Sequence, residues 1–333
     1  MSELSRRDFL QTTAGWMAGA GAALAERDPV LAGQEESPAG LPRRPLGKTG
    51  EKVSIIGIGG WHAGSIPERE GIALMHEAID EGVTFFDNAW DYHMGGSEEV
   101  MGKALASGGR RDKVFLMTKD CARDYEGSLK HLDDSLRRLR TDHLDLWQFH
   151  EINYPQDPDW LFERGAVKAA LEAKKAGKVR FIGFTGHKDI DIHLRLISKP
   201  FAWDAVQMPI NILDAHYRSF QKKVVPECNR RGIGVIGMKA LACGAIPKEL
   251  GLSAADCRRY ALSQPISTLV CGMTSRENLR QDVGVARGFR PMKSGDAQAL
   301  LAKTAAAGGQ GEYERFKTTR QFDAEYHRHQ HNL

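Results

Sequence analysis

The chain has 333 residues, 41% hydrophobic and 27% charged, a globular composition that excludes an intrinsically disordered chain. Its 46 basic and 43 acidic residues leave a formal net charge of +3, so no global attraction to nucleic acid is implied. No apolar run approaches the roughly 18 residues of a membrane span. The five cysteines form no C-x-x-C pair and give no zinc, iron–sulfur or thioredoxin-like pattern. Cys121, Cys228, Cys243, Cys257 and Cys271 therefore read as buried small hydrophobes.

The N-terminus opens with Ser5-Arg6-Arg7-Asp8-Phe9-Leu10, then a weakly apolar stretch rich in Ala and Gly, then Ala23-Leu24-Ala25 at a peptidase-like spacing. This resembles a twin-arginine export signal. The resemblance implies removal of residues 1–25, recognition by the twin-arginine export machinery, and a periplasmic or otherwise exported mature protein with no membrane span. Residues 26–43 are rich in Pro, Gly, Ala and Glu without periodicity and read as a linker.

From residue 44 the pattern changes. Residues 44–46 and 53–56 flank Gly47-Lys48-Thr49-Gly50 and predict a β-hairpin. Short apolar runs then alternate with helical periods. Strands are predicted at 55–59, 84–86, 114–118, 144–149, 179–184, 205–208, 234–238 and 268–270. Helices are predicted at 68–81, 98–106, 125–139, 160–176, 190–197, 219–231, 254–262 and 277–287. Leu129, Leu132, Leu136 and Leu139 show the 3.6-residue period, and Gly82, Gly177 and Gly232 mark helix stops. Eight βα pairs in sequence predict a (β/α)8 TIM barrel over residues 44–290. A doubly wound sheet is the rival, but Gly57-Ile58-Gly59-Gly60-Trp61-His62 lacks the third glycine of a dinucleotide fingerprint.

Barrel active sites lie at the C-terminal ends of strands. There stand Asp87 with Tyr92 beyond it, Lys119, His150, Thr185-Gly186-His187, Gln207 and Met238-Lys239. Tyrosine, with an ordinary pKa near 10, is a weak acid at neutral pH; a lysine beside it is expected to lower that value. Asp87 can supply the counter-ion that a buried Lys119 needs, and His150 can orient a carbonyl oxygen. The set offers a polarised proton donor without nucleophile or metal, which suits hydride transfer from a nicotinamide with Tyr92 as general acid/base.

The motifs Gly82-Val83-Thr84-Phe85-Phe86-Asp87-Asn88-Ala89-Trp90-Asp91-Tyr92, Met117-Thr118-Lys119 and Asp145-Leu146-Trp147-Gln148-Phe149-His150 resemble those of aldo-keto reductases, in the same order. The resemblance implies a small carbonyl or alcohol substrate, NADP(H) as cofactor with NAD(H) open, and a tetrad of Asp87, Tyr92, Lys119 and His150. It places Gln207, Thr185 and Gly186 at the nicotinamide carboxamide and Met238 where the family often has a stacking aromatic. Lys239 is assigned to the pyrophosphate; Gly272, Thr274, Ser275, Arg276 and Arg280 to the adenosine phosphate; Trp61 and His187 to the substrate pocket. Residues 291–333 are expected to close the substrate side, with Tyr313, Phe316, Phe322 and Tyr326 lining the pocket or packing on the barrel. His327, His329 and His331 read as a solvated tail, with a metal-binding tail as the alternative. Two other readings stand beside the reductase. One is a non-catalytic nicotinamide-binding sensor or regulatory subunit; the other is a metal-dependent hydrolase using His62, His93, His150 and His187.

Overall fold

The computed structural model describes residues 29–36 and 40–333. The expected export signal and the start of the expected linker lie outside the described residues. Strands β1 (Glu35–Glu36), β2 (Pro42–Pro45) and β3 (Lys52–Ser54) form a small antiparallel sheet, so part of the expected linker pairs with the hairpin. Eight further strands follow: β4 (Ile56–Gly59), β5 (Phe85–Asp87), β6 (Phe115–Asp120), β7 (Leu144–Phe149), β8 (Val179–Thr185), β9 (Ala205–Pro209), β10 (Gly234–Met238) and β11 (Thr268–Cys271). They close into a parallel barrel in the order β10–β11–β4–β5–β6–β7–β8–β9, with helices around it, as the alternation predicts. Each strand is covered on both sides, which is why these runs are continuously apolar rather than alternating.

The hairpin seals one end of the barrel. Leu46 and Val53 pack against Phe85, Phe115, Ala205 and Ile236 inside it. Phe85, Phe115 and Ala205 are the first residues of their strands, so the sealed end is the N-terminal one. Gly47 makes the approach possible: at φ +55° its backbone lies so close to β10 that a Cβ would sit 2.4 Å from the Gly234 nitrogen. The Lys48 N–H donates to the Gly232 carbonyl at 2.9 Å, closing the seal.

The helices pack apolar faces on the outer wall, where Leu132, Leu139, Trp147, Phe149 and Phe184 belong to one buried cluster. Tyr125–Leu139 starts at Asp124, whose side chain accepts the Gly127 N–H, and ends at Arg140 with φ +54°. The single helix expected at 160–176 is two helices, Asp157–Glu163 and Ala166–Lys175. Gly165 adopts φ +90° between them and bridges to Asp124, so a tertiary contact overrides the helical pattern. Four of the cysteines are buried as expected, but Cys243 is exposed, in a loop after β10 at φ +55°. None forms a disulfide.

The C-terminal segment adds helices Ser294–Gly308, Arg315–Thr318 and Glu325–Gln330. Phe316 is buried against Ile212, Leu213 and Ile246, and Lys317 is buried between Asp214 and Glu314, at 2.7 and 2.8 Å. Among the described residues no helix is long and apolar enough to cross a membrane.

Candidate active site

A cavity of about 690 Å³ opens at the C-terminal ends of the barrel strands. The loop after β5 is stitched to β6: the Asn88 and Trp90 N–H groups donate to the carbonyls of Met117 and Lys119 at 3.0 and 3.1 Å. It then turns sharply through His93, Met94 and Gly95, all at positive φ, which leaves Tyr92 facing the cavity. Lys119 is buried. Its Nζ donates to Asp87 Oδ1 at 2.5 Å and to the Asn88 carbonyl at 2.7 Å, and lies 3.4 Å from the Tyr92 hydroxyl. Tyr92 and His150 meet edge to face, with ring centroids 5.5 Å apart. All four expected tetrad residues thus line one cavity.

The electrostatics differ from the expectation in one respect. Burial pushes the Tyr92 hydroxyl well above its ordinary pKa, and the carboxylates of Asp87, Asp91 and Glu151 add to the effect. The Lys119 ammonium 3.4 Å away does not reverse this. Tyr92 is therefore protonated at neutral pH. Burial also lowers the His150 pKa, against the pull of Asp91, so its imidazole is neutral at pH 7. Its Nδ1 lies 3.0 Å from Asp91 Oδ1.

Among the expected cofactor residues, Thr185, Gln207, Met238, Lys239 and Gly272 line this cavity, as do the expected substrate residues Trp61 and His187. Gln207 lies between Thr185 on β8 and Ile236 on β10, and its Oε1 is buried with no hydrogen-bond partner. An unpaired buried amide oxygen costs on the order of 1–3 kcal/mol, and a carboxamide N–H₂ would satisfy it. The donor set therefore fits a nicotinamide. Gly186 does not line the cavity; a Cβ there would lie 2.5 Å from the Ile152 carbonyl, so its small size serves the packing of two loops. Thr274, Ser275, Arg276 and Arg280 lie outside the cavity lining, at the start of helix Arg276–Arg287. Ser275 caps that helix, and both arginines pair with Glu77.

Other residues of the cavity had no sequence signal of their own. Glu151 follows His150 at φ +48°, and burial, aided by Asp91, pushes its carboxyl up to about 8. It accepts the Ala324 N–H at 2.9 Å. Gln321, Phe322, Asp323 and Ala324 of the C-terminal segment form part of the wall. Asp323 accepts from Tyr154 at 2.7 Å and Lys188 at 2.6 Å and contacts His187 at 3.4 Å. Burial works against its charge, but these partners hold it at about 2, while burial lowers His187 to about 3. Of the tail aromatics, Phe322 reaches the cavity, Phe316 and Tyr313 pack in the core beneath, and Tyr326 meets Trp90 edge on.

The tail is not solvated, contrary to expectation. His327 is fully buried, and His331 bonds Asp157 at 3.0 Å between the rings of Trp160 and Tyr154; His329 stays exposed. The four histidines of the hydrolase reading do not assemble. His93 bonds the Trp61 carbonyl, His187 belongs to the Asp323 cluster, and neither they nor His62 join His150 in a ligand group among the described residues.

A closed parallel barrel of this kind is shared with oxidoreductases of the carbonyl–alcohol class. The chain belongs to the aldo/keto reductase family, which it matches over residues 55–258. It is 33% identical over 226 residues to the uncharacterized oxidoreductase YrpG of Bacillus subtilis (strain 168), covering 60% of this chain and 67% of the relative. It is 30% identical over 222 residues to L-galactose dehydrogenase of Arabidopsis thaliana, covering 62% and 67%. The solved holo form of aldo-keto reductase AKR11C1 from Bacillus halodurans superposes with a TM-score of 0.69 over 82% of this chain and 99% of that one. Its 23% sequence identity makes that a likeness of fold.

Proposed function

We propose that this is an exported, nicotinamide-dependent oxidoreductase that interconverts a small carbonyl compound and its alcohol, with Tyr92 as the proton donor. The observation that carries the reading is the buried Asp87–Lys119 pair, whose Nζ lies 3.4 Å from the Tyr92 hydroxyl in the cavity that also holds the unpaired Gln207 oxygen. Bound nicotinamide supplies or accepts the hydride. Gln207 and Thr185 would hold the carboxamide, Met238 would pack on the ring, Lys239 would meet the pyrophosphate, and Arg276 and Arg280 would hold the adenosine phosphate of NADP(H). With its proton on Nε2, His150 would orient the carbonyl oxygen toward Tyr92. As negative charge gathers on that oxygen, the Tyr92 Oη–H bond breaks and its proton passes over, with Lys119 offsetting the phenolate charge left behind.

The test is a fluorescence titration of the mature protein with NADPH and NADH, followed by turnover on a panel of aldehydes that includes hydroxylated ones, since one relative is a sugar dehydrogenase. Tyr92→Phe should lower kcat by about 10²- to 10⁴-fold while leaving nicotinamide binding intact. Failure to bind either nucleotide, or an unchanged kcat, would overturn the reading.

A further inference from the structure

Three consecutive strand ends and the C-terminal tail converge behind His150. Asp91 follows β5, Cys121 follows β6, His150 follows β7, and His327 comes from helix Glu325–Gln330. One potential ligand atom of each lies within 4.8 Å of all the others. His150 Nδ1 is 3.0 Å from Asp91 Oδ1 and 3.6 Å from Cys121 Sγ. A tetrahedral zinc ion with bonds of about 2.0–2.3 Å needs ligand-to-ligand edges of about 3.3–3.6 Å, so small side-chain shifts would complete the site. A separate observation points the same way: His327 is fully buried, yet its Nε2 has no hydrogen-bond partner.

We propose that Asp91, Cys121, His150 and His327 form a zinc site that fastens the C-terminal tail to the barrel behind the active-site histidine. One thiolate, one carboxylate and two imidazoles suit zinc better than a hard cation such as calcium or magnesium. Thiolate and carboxylate together balance the dication. With four protein ligands no position is open to substrate, so the ion is structural and leaves the role of Tyr92 untouched. Arg123 Nη2 lies 3.4 Å from His327 Nδ1, on the side away from Nε2. Coordination through Nε2 puts the proton on Nδ1, and this long contact must then yield. The guanidinium keeps its bonds to Asp157 and to the carbonyls of Cys121, Ala122, His150 and Glu151.

The ion would also set the tautomer of His150. Facing the Asp91 carboxylate, an acceptor only, Nδ1 carries the proton, and a neutral ring then turns a lone pair toward the cavity. That is the wrong polarity for holding a carbonyl oxygen. A metal on Nδ1 moves the proton to Nε2, the edge a substrate oxygen would meet. This consequence rests on the reductase reading; the site itself does not.

The test is metal analysis of the mature full-length protein, then chelation and titration with Zn²⁺ and Co²⁺. We expect one zinc per chain, and a Co²⁺ form with intense tetrahedral bands and a thiolate charge-transfer band. Cys121→Ser should lose the charge-transfer band, and His327→Gln should weaken binding by about 10- to 100-fold or more. Hydrogen exchange of residues 315–333 should rise on chelation. No retained ion with a six-coordinate Co²⁺ spectrum, or equal affinity in both variants, would overturn the site. Nicotinamide binding, measured on the same samples, reports on the reductase reading separately.

Discussion

Glu77 offers a test of the proposed cofactor contacts at a single carboxylate. It sits in helix Glu68–Asp80 and pairs with Arg276, and with Arg280 at 2.8 Å, the two side chains that we propose meet an adenosine phosphate. A phosphate must displace it to use both guanidinium groups. The arginines are largely exposed, so each pair contributes at most about 0.2–1 kcal/mol. We predict that Glu77→Gln strengthens NADPH binding by about two- to fivefold and leaves NADH binding unchanged. Parallel titrations of the two nucleotides check this, and equal changes for both would place the arginines elsewhere. That Asp87, Tyr92, Lys119 and His150 share one cavity was legible in sequence, because three of them stand at strand ends and Tyr92 follows the first within one motif, whereas Gln207, in the middle of β9, was singled out by the family resemblance. Asp91 and Glu151 stood beside Tyr92 and His150 but carried no separate signal, since only the folded neighbourhood shows their burial and charge.

At the level of elements, helix Ile190–Ser198 carries a titration that bears on stability. His193 is buried against Phe184 and Phe220, its Nδ1 meets the Asp189 carbonyl at 3.1 Å, and burial lowers its pKa to about 4 from an ordinary 6.5. The unfolded chain takes up this proton first as pH falls. Stability is therefore full above about 6.5 and declines toward 4, by up to about 3 kcal/mol. Denaturant melts at pH 7 and pH 4.5 should show this loss shrink in His193→Leu; an unchanged loss would assign it to other groups. The elements that sequence reading missed share one physical cause. Gly165 breaks a helical pattern because it must meet Asp124, and the tail docks because His327 and His331 find partners far away in the chain, Arg123 being 204 residues from His327. Periodicity describes an element against a generic wall and carries no record of such specific contacts.

For the whole molecule, the barrel itself was the most legible feature, because eight buried parallel strands leave eight unmistakable apolar runs. The linker reading was less complete, since β1 gains its order only by pairing with β2. The proposed export rests on the chain ahead of the fold. We predict that replacing Arg6 and Arg7 together by lysine leaves the protein in the cytoplasm, folded and able to bind nicotinamide. Fractionation of cells expressing both forms decides it, and continued export of the lysine form would remove the twin-arginine reading.

The seal made by Leu46, Gly47 and Val53 turns the barrel into a cup rather than a tube. Residues 29–36 join the cup at its base, beside that seal, whereas Tyr92 looks out of the rim. An export leader would thus pull from the blind end. If the chain is exported as we propose, a translocase gripping that end would leave the rim free, where cargo could still be poured in until the last moment before passage.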